Sequence, residues 1–248
     1  MLARLLLPCL ALGTTLGAAE PSALIADAIA AEARWDSRQA LELLLRADAA
    51  KPNDPAVLQK ISKQYSDLAF RENSTESKRA LAAQALAYAQ RSAALAPNDA
   101  VCALSLAICH GHFAVTGSVR EKVALSRLMQ LEIERALQLD PNYAWAHHLY
   151  GRWHVELAEL GRTARFIVKI FYGELPQASF ADGINHLRRA AELEPREPSH
   201  WFELGFALAL TGQREDARAC WERGLALPAS GPHDAGQRER ARAALRGN

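Results

Sequence analysis

The chain has 248 residues, half of them apolar, with 29 Lys and Arg against 28 Asp and Glu for a net charge of +1. That balance excludes an overall basic field for nucleic acid, and the ordinary share of Gly and Pro excludes a collagen-like or low-complexity polymer. Ala, Leu, Arg and Glu dominate and β-branched residues are sparse, so the composition predicts an all-α chain.

The N-terminus reads MLARLLLPCLALGTTLGAAEPS. Arg4 precedes an apolar run, and small residues follow at Gly17, Ala18 and Ala19. This is the layout of an export signal over residues 1–19, with a helical domain over 20–248. The run is short for a membrane span. A signal implies an exported, periplasmic or secreted protein; the alternatives are an uncleaved membrane anchor and a mitochondrial presequence. Beyond it, Cys102 and Cys109 lie about two helical turns apart, roughly 10 Å, too far for a disulfide. With Cys220 they read as small buried hydrophobes.

Proline divides the rest of the chain. Pro52, Pro97, Pro141 and Pro195 each close a helical run, and each run carries a small residue about five positions earlier: Ala47, Ser92, Ala136 and Ala190. Proline stops one helix and lets the next unit begin. Five units result. The first covers 21–54, with Ala40, Leu44 and Ala47 on its second helix. The second covers 55–99, with Leu58, Ile61 and Tyr65 on its first helix and a polar stretch, RENSTESKR, before its second. The third covers 100–143 and turns near Gly117-Ser118. The fourth covers 144–197, with His147, Gly151 and His154 at interior positions of its first helix. Some twenty inserted residues, ELGRTARFIVKIFYGELPQAS, separate that helix from the next.

The fifth unit sets the register for the others. In PSHWFELGFALALTGQREDARACWERGLAL, Trp201, Leu204 and Gly205 share one helical face, Thr211-Gly212 breaks the helix, and Ala217, Trp221 and Gly224 follow on a second. This resembles the tetratricopeptide (TPR) pattern, in which small residues let two helices cross closely and large ones fill the space to the next pair. It predicts a right-handed TPR-type α-solenoid of about five helix pairs, with an inserted helix in the fourth. HDAGQRERARAALRGN reads as a polar C-terminal cap.

The fourth unit carries a further resemblance. Leu149, Gly151 and Trp153, then Arg165 with Ile167, Ile170 and Phe171, then Pro176, Ser179 and Phe180, and finally Arg189, Ala190, Glu192 and Pro195 are similar to the regulator of microtubule dynamics family. The similarity extends over about residues 55–228. The resemblance implies association with microtubules and a cytoskeletal location, and with membranes in several members.

No nucleophile elbow, P-loop, zinc-protease helix or dinucleotide turn occurs, so no catalytic residue is assigned and no enzyme is expected. His110, His112, His147, His148 and His154 cluster in sequence, but His110, His147 and His154 fall where aromatics stand in the repeat. No metal site and no cofactor is expected. The first helices should line one face as a partner-binding groove, with Gln59, Lys63, Trp145, His148, Arg152, Phe202 and Phe206 turned into it. This set predicts a protein or peptide partner, including an acidic segment. It lacks the Lys and Asn residues that clamp a C-terminal carboxylate in some TPR proteins. On the insertion, Arg162, Arg165 and Lys169 share one face and Phe166, Ile167, Ile170 and Phe171 the other. Such a helix meets an anionic membrane or an acidic partner, or packs its apolar face on the solenoid.

Overall fold

The computed structural model describes residues 20–173, 175–231 and 233–247. The export signal expected over 1–19 lies outside the described residues. Within them the chain is entirely helical. The first pair is α1 (Pro21–Ala33) and α2 (Ser37–Ala50); the second is α3 (Pro55–Arg71) and α4 (Thr75–Leu95); the third is α5 (Ala100–Thr116) and α6 (Val119–Leu139). The fourth is α7 (Ala144–Glu159) and α9 (Phe180–Leu193), interrupted by α8 (Gly161–Tyr172). The fifth is α10 (Pro198–Leu210) and α11 (Arg214–Ala226), followed by α12 (Asp234–Arg246). Each pair packs as a hairpin, and each second helix packs on the next first helix. This is the predicted α-solenoid.

The proline-spaced small residues have a clear job. The backbone N–H groups of Lys51, Ala96, Asp140 and Glu194 donate to the carbonyls of Ala47, Ser92, Ala136 and Ala190, closing the last turn of α2, α4, α6 and α9. All four acceptors are buried. A large side chain there would push the next helix pair away. Helix starts are equally regular. Asp54 caps α3, Asp99 caps α5, and Pro198 opens α10. Ser118 and Glu121 form a capping box at α6. The polar stretch RENSTESKR does not form a long loop: its residues lengthen α3 and α4, and Ser74 caps α4.

Glycines set the two tightest crossings. A Cβ on Gly151 of α7 would stand 2.6 Å from Leu187 Cγ and 2.8 Å from the Gly183 carbonyl of α9. A Cβ on Gly205 of α10 would stand 2.5 Å from the Trp221 ring of α11. The two positions are equivalent in successive pairs, as the repeat register predicts. Trp221 is the buried tryptophan of the fifth pair. Trp201, which the sequence pattern also assigned to filling the stack, is only half-buried: its Nε1 donates to the Pro195 carbonyl at 3.0 Å and Arg223 lies over its ring.

Among the described residues, His233 leaves the repeat order. His233, in the turn before α12, reaches Asp67 of α3 at 3.1 Å. The last element is thereby tied to the second pair.

Candidate functional site

The first helices present a continuous face, and the structure sorts the residues expected on it. Gln59 of α3 donates to Ser105 Oγ of α5 at 3.1 Å, so it fastens two first helices together. Lys63, one turn on, is exposed and holds Asp67 at 2.7 Å. On α7, Trp145 is 38% exposed and packs tilted against His148 and edge-on to His200. Arg152, two turns further, bonds Glu156 at 3.0 Å and approaches Glu203 of α10 at 3.8 Å. Phe206 is half-buried beneath the guanidinium of Arg240, 3.9 Å from the ring centre.

Two expected groove residues are not on the surface. Phe202 is 0% exposed, and its ring fills the space left by Gly224 of α11. The groove stripe of α10 is Glu203, Phe206 and Leu210, one residue out of step with the expectation at its first position. A one-residue change turns a helix by about 100°, enough to exchange groove for core. His148 is also buried, beneath Trp145.

Between α7, α10 and α12 the face opens into a cleft of about 500 Å³. Val155, Leu187, Phe206 and Trp221 contribute apolar surface, while Arg152, Glu156, Glu159, Glu203 and Arg240 supply charge. Glu203 is the hub, accepting from Gln237 of α12 at 3.0 Å while Arg152 and Arg240 approach it. The cleft can hold an apolar side chain with polar groups at its edge.

Behind this face lies a feature the sequence did not disclose: two histidine pairs on either side of α7. His147 Nδ1 and His186 Nδ1 of α9 are 2.8 Å apart. His147 Nε2 faces the Pro141 carbonyl at 3.0 Å. A carbonyl only accepts, so in the neutral ring Nε2 carries the hydrogen and Nδ1 accepts from His186. His148 Nδ1 and His200 Nδ1 of α10 form the second pair at 2.9 Å. Burial holds His148 well below its ordinary value and brings His186 and His200 down to about 4. The pairs are packing hydrogen bonds between neighbouring helices. Among the described residues no cluster of three or more His, Cys, Asp or Glu has the arrangement of a metal site. Cys102, Cys109 and Cys220 are free and buried.

The inserted helix is mounted with its apolar side outward. Phe166 is 63% and Phe171 72% exposed, with Ile167 and Ile170 exposed between them. Arg165 turns inward, donating to the Leu157 carbonyl at 3.2 Å and the Pro176 carbonyl at 2.8 Å. Val168 packs on the core beside it. Lys169 is itself engaged, and the side chain of Arg162 lies outside the described part. Arg165 therefore fastens α8, with its guanidinium engaged by two backbone carbonyls. Packing of the apolar face on the solenoid, the other expectation, is not what the structure shows. No helix among the described residues is long and apolar enough to cross a membrane.

Comparison with known proteins gives the chain its place. A TPR protein from Thermus thermophilus matches with a TM-score of 0.70 at 19% identity, over 91% of this chain and 98% of that one. That likeness concerns the fold. Among curated proteins, Regulator of microtubule dynamics protein 1 of Bos taurus is 29% identical over 145 residues, 57% of this chain and 45% of the relative. Regulator of microtubule dynamics protein 3 of Mus musculus is 22% identical over 170 residues, 68% of this chain and 36% of the relative. The chain thus spans less than half the length of these relatives. The family described as Regulator of microtubule dynamics protein 1-3 matches over residues 24–247. From the first helix pair to the end of α12, the chain belongs to the regulator of microtubule dynamics family.

Proposed function

We propose that the protein is a non-catalytic scaffold whose first helices hold a protein or peptide segment. The observation that carries this reading is the face itself: the Arg152–Glu203–Arg240 cluster edges an open, partly apolar cleft, and exposed Trp145 stands two turns along α7 from Arg152. Aromatic and arginine side chains beside a desolvated pocket are the usual anchors of an interface. Trp145→Ala combined with Arg152→Ala uncovers His148 and His200 and lowers stability, but the helical fold stays in place at neutral pH while partner capture falls roughly tenfold or more. Proximity labelling in the native host, compared between wild type and the double variant, measures it. An unchanged set and yield of labelled partners, with unchanged circular dichroism, would falsify the scaffold reading. Association with microtubules comes to this chain from its relatives' names alone. Co-pelleting of the full chain with polymerised tubulin tests it, and a supernatant that keeps all the protein removes it.

A second reading rests on α8. An outward row of Phe166, Ile167, Ile170 and Phe171 on a securely fastened helix suits the headgroup–acyl boundary of a membrane. Because Arg165 is spent on carbonyls, the contact is apolar, and retention on vesicles should depend little on their anionic fraction. In a flotation assay Phe166→Glu with Phe171→Glu lowers retention of the full chain at least severalfold. Equal flotation of variant and wild type would remove α8 as the contact.

A further inference from the structure

Asp67 is more heavily engaged than its position suggests. It follows Gln59 and Lys63 at four-residue intervals on α3, so all three belong to the face that the first helices share. Yet it is 9% exposed, while Phe70 beside it is 60% exposed. The cover comes from far along the chain. His233 Nε2 lies 3.1 Å from Asp67 Oδ1, and the imidazole stands edge-on to the Phe70 ring at 4.3 Å between centroids. Lys63 Nζ holds the other carboxylate oxygen at 2.7 Å. Burial pushes the Asp67 carboxyl up, but the hydrogen bond from His233 and the charge of Lys63 outweigh it and hold the group below its ordinary value. It is an ionised acceptor set against an aromatic ring.

The turn that delivers His233 is anchored elsewhere. Asp234, buried at the start of α12, accepts from the Ser230 N–H at 2.7 Å and from Ser199 Oγ of α10 at 3.4 Å. Ser230 Oγ also donates to Glu197 at 2.8 Å. These bonds fix the turn against the start of α10 without help from α3. His233 then extends across the face and plugs into Asp67 and Phe70. A carboxylate with an adjacent ring suits a nitrogen-bearing cation, through a charge-assisted hydrogen bond and cation–π attraction. Lysine and arginine carry the permanent charge that this chemistry favours.

We propose that Asp67 and Phe70, with Lys63 orienting the carboxylate, form a subsite for a basic side chain of a partner segment, and that His233 occupies this subsite in the free chain. The proposal rests on the reading of the first-helix face as a partner groove. A partner must displace His233, so its apparent affinity is reduced by the fraction of time the subsite is filled. Freeing the subsite raises affinity.

Random peptides displayed on phage are selected against the full chain and against its His233→Ala variant, and the enriched sequences are synthesised for binding measurements. The expected peptides carry a fixed Lys or Arg, bind His233→Ala roughly tenfold more tightly than wild type, and lose binding when Asp67→Asn is added. Phe70→Lys serves as a second variant, since it changes an exposed position and sets a cation against the incoming one; it should weaken the same peptides. Peptides that depend on Trp145 and Arg152 but ignore Asp67, Phe70 and His233 would overturn the subsite and leave the groove reading standing. A selection that enriches nothing on either form overturns the groove reading and the subsite with it.

Discussion

Replacing Trp221 with alanine lowers the stability of the fold by about 3–5 kcal/mol. The ring is 2% exposed and lies where α10 and α11 cross, against Gly205 and beside Phe206. Among the described residues its Nε1 has no hydrogen-bond partner, so truncation removes packing and leaves a cavity without breaking a polar contact there. Flanking helices cannot close that cavity easily, because at Gly205 the backbone of α10 already stands against the Ala217 carbonyl of α11. Trp201→Ala is the internal comparison. That ring is half-buried, with one hydrogen bond and one stacked guanidinium, and its loss costs only about 1–2 kcal/mol. Denaturant titration of both variants measures the difference. A Trp221→Ala loss no larger than that of Trp201→Ala would contradict the packing at this crossing.

Acid will destabilise the protein well before its carboxylates matter. His148, His186 and His200 are held neutral by burial, with His186 and His200 near 4. In the unfolded chain a histidine titrates near 6.5. Below that pH the unfolded state binds protons that the folded state refuses, so stability falls as pH falls, until the folded value is passed. For His200, 0% exposed beside its neutral partner, the loss between pH 7.5 and 4.5 is roughly 2–3 kcal/mol. Arg152 near His148 acts in the same direction. Glu194, 3.5 Å from His200, opposes it, because burial and Glu197 push its carboxyl up. Geometry reinforces the trend: with both rings of a pair protonated, two N–H groups would face each other across less than 3 Å. Unfolding free energy followed from pH 7.5 to 4.5 should therefore drop steadily, and His200→Phe should flatten the slope by about one proton. A flat wild-type profile over that interval would show that burial does not hold His148, His186 and His200 neutral in the fold.

The helix pairs were legible because their signals are local. Ala47, Ser92, Ala136 and Ala190 sit at a fixed distance before a proline, and the structure gives each the same carbonyl to offer and the same tight space. Gly151 and Gly205 were legible for the same reason. The face shared by the first helices was legible only in part. Gln59, Lys63, Trp145, Arg152 and Phe206 lie on the shared face, while Phe202 turned inward because Gly224, more than twenty residues later, leaves a hole of its shape. Amphipathicity of α8 was plain from the sequence, but periodicity says only that two faces differ, not which one meets water. That was decided by Arg165, whose guanidinium finds two backbone carbonyls across the insertion. The histidine pairs join residues 39 and 52 positions apart. No spacing rule within one helix anticipates them.

Stacks of helical hairpins ordinarily touch only their neighbours and therefore peel from either end. The bond from the turn before α12 back to α3, between residues 166 positions apart, removes that freedom. Fraying of the last hairpin must also strip a buttress from the second, so damage at one terminus is felt almost at the other. The molecule is consequently closed on itself like a clasped bracelet, not open-ended like a zipper.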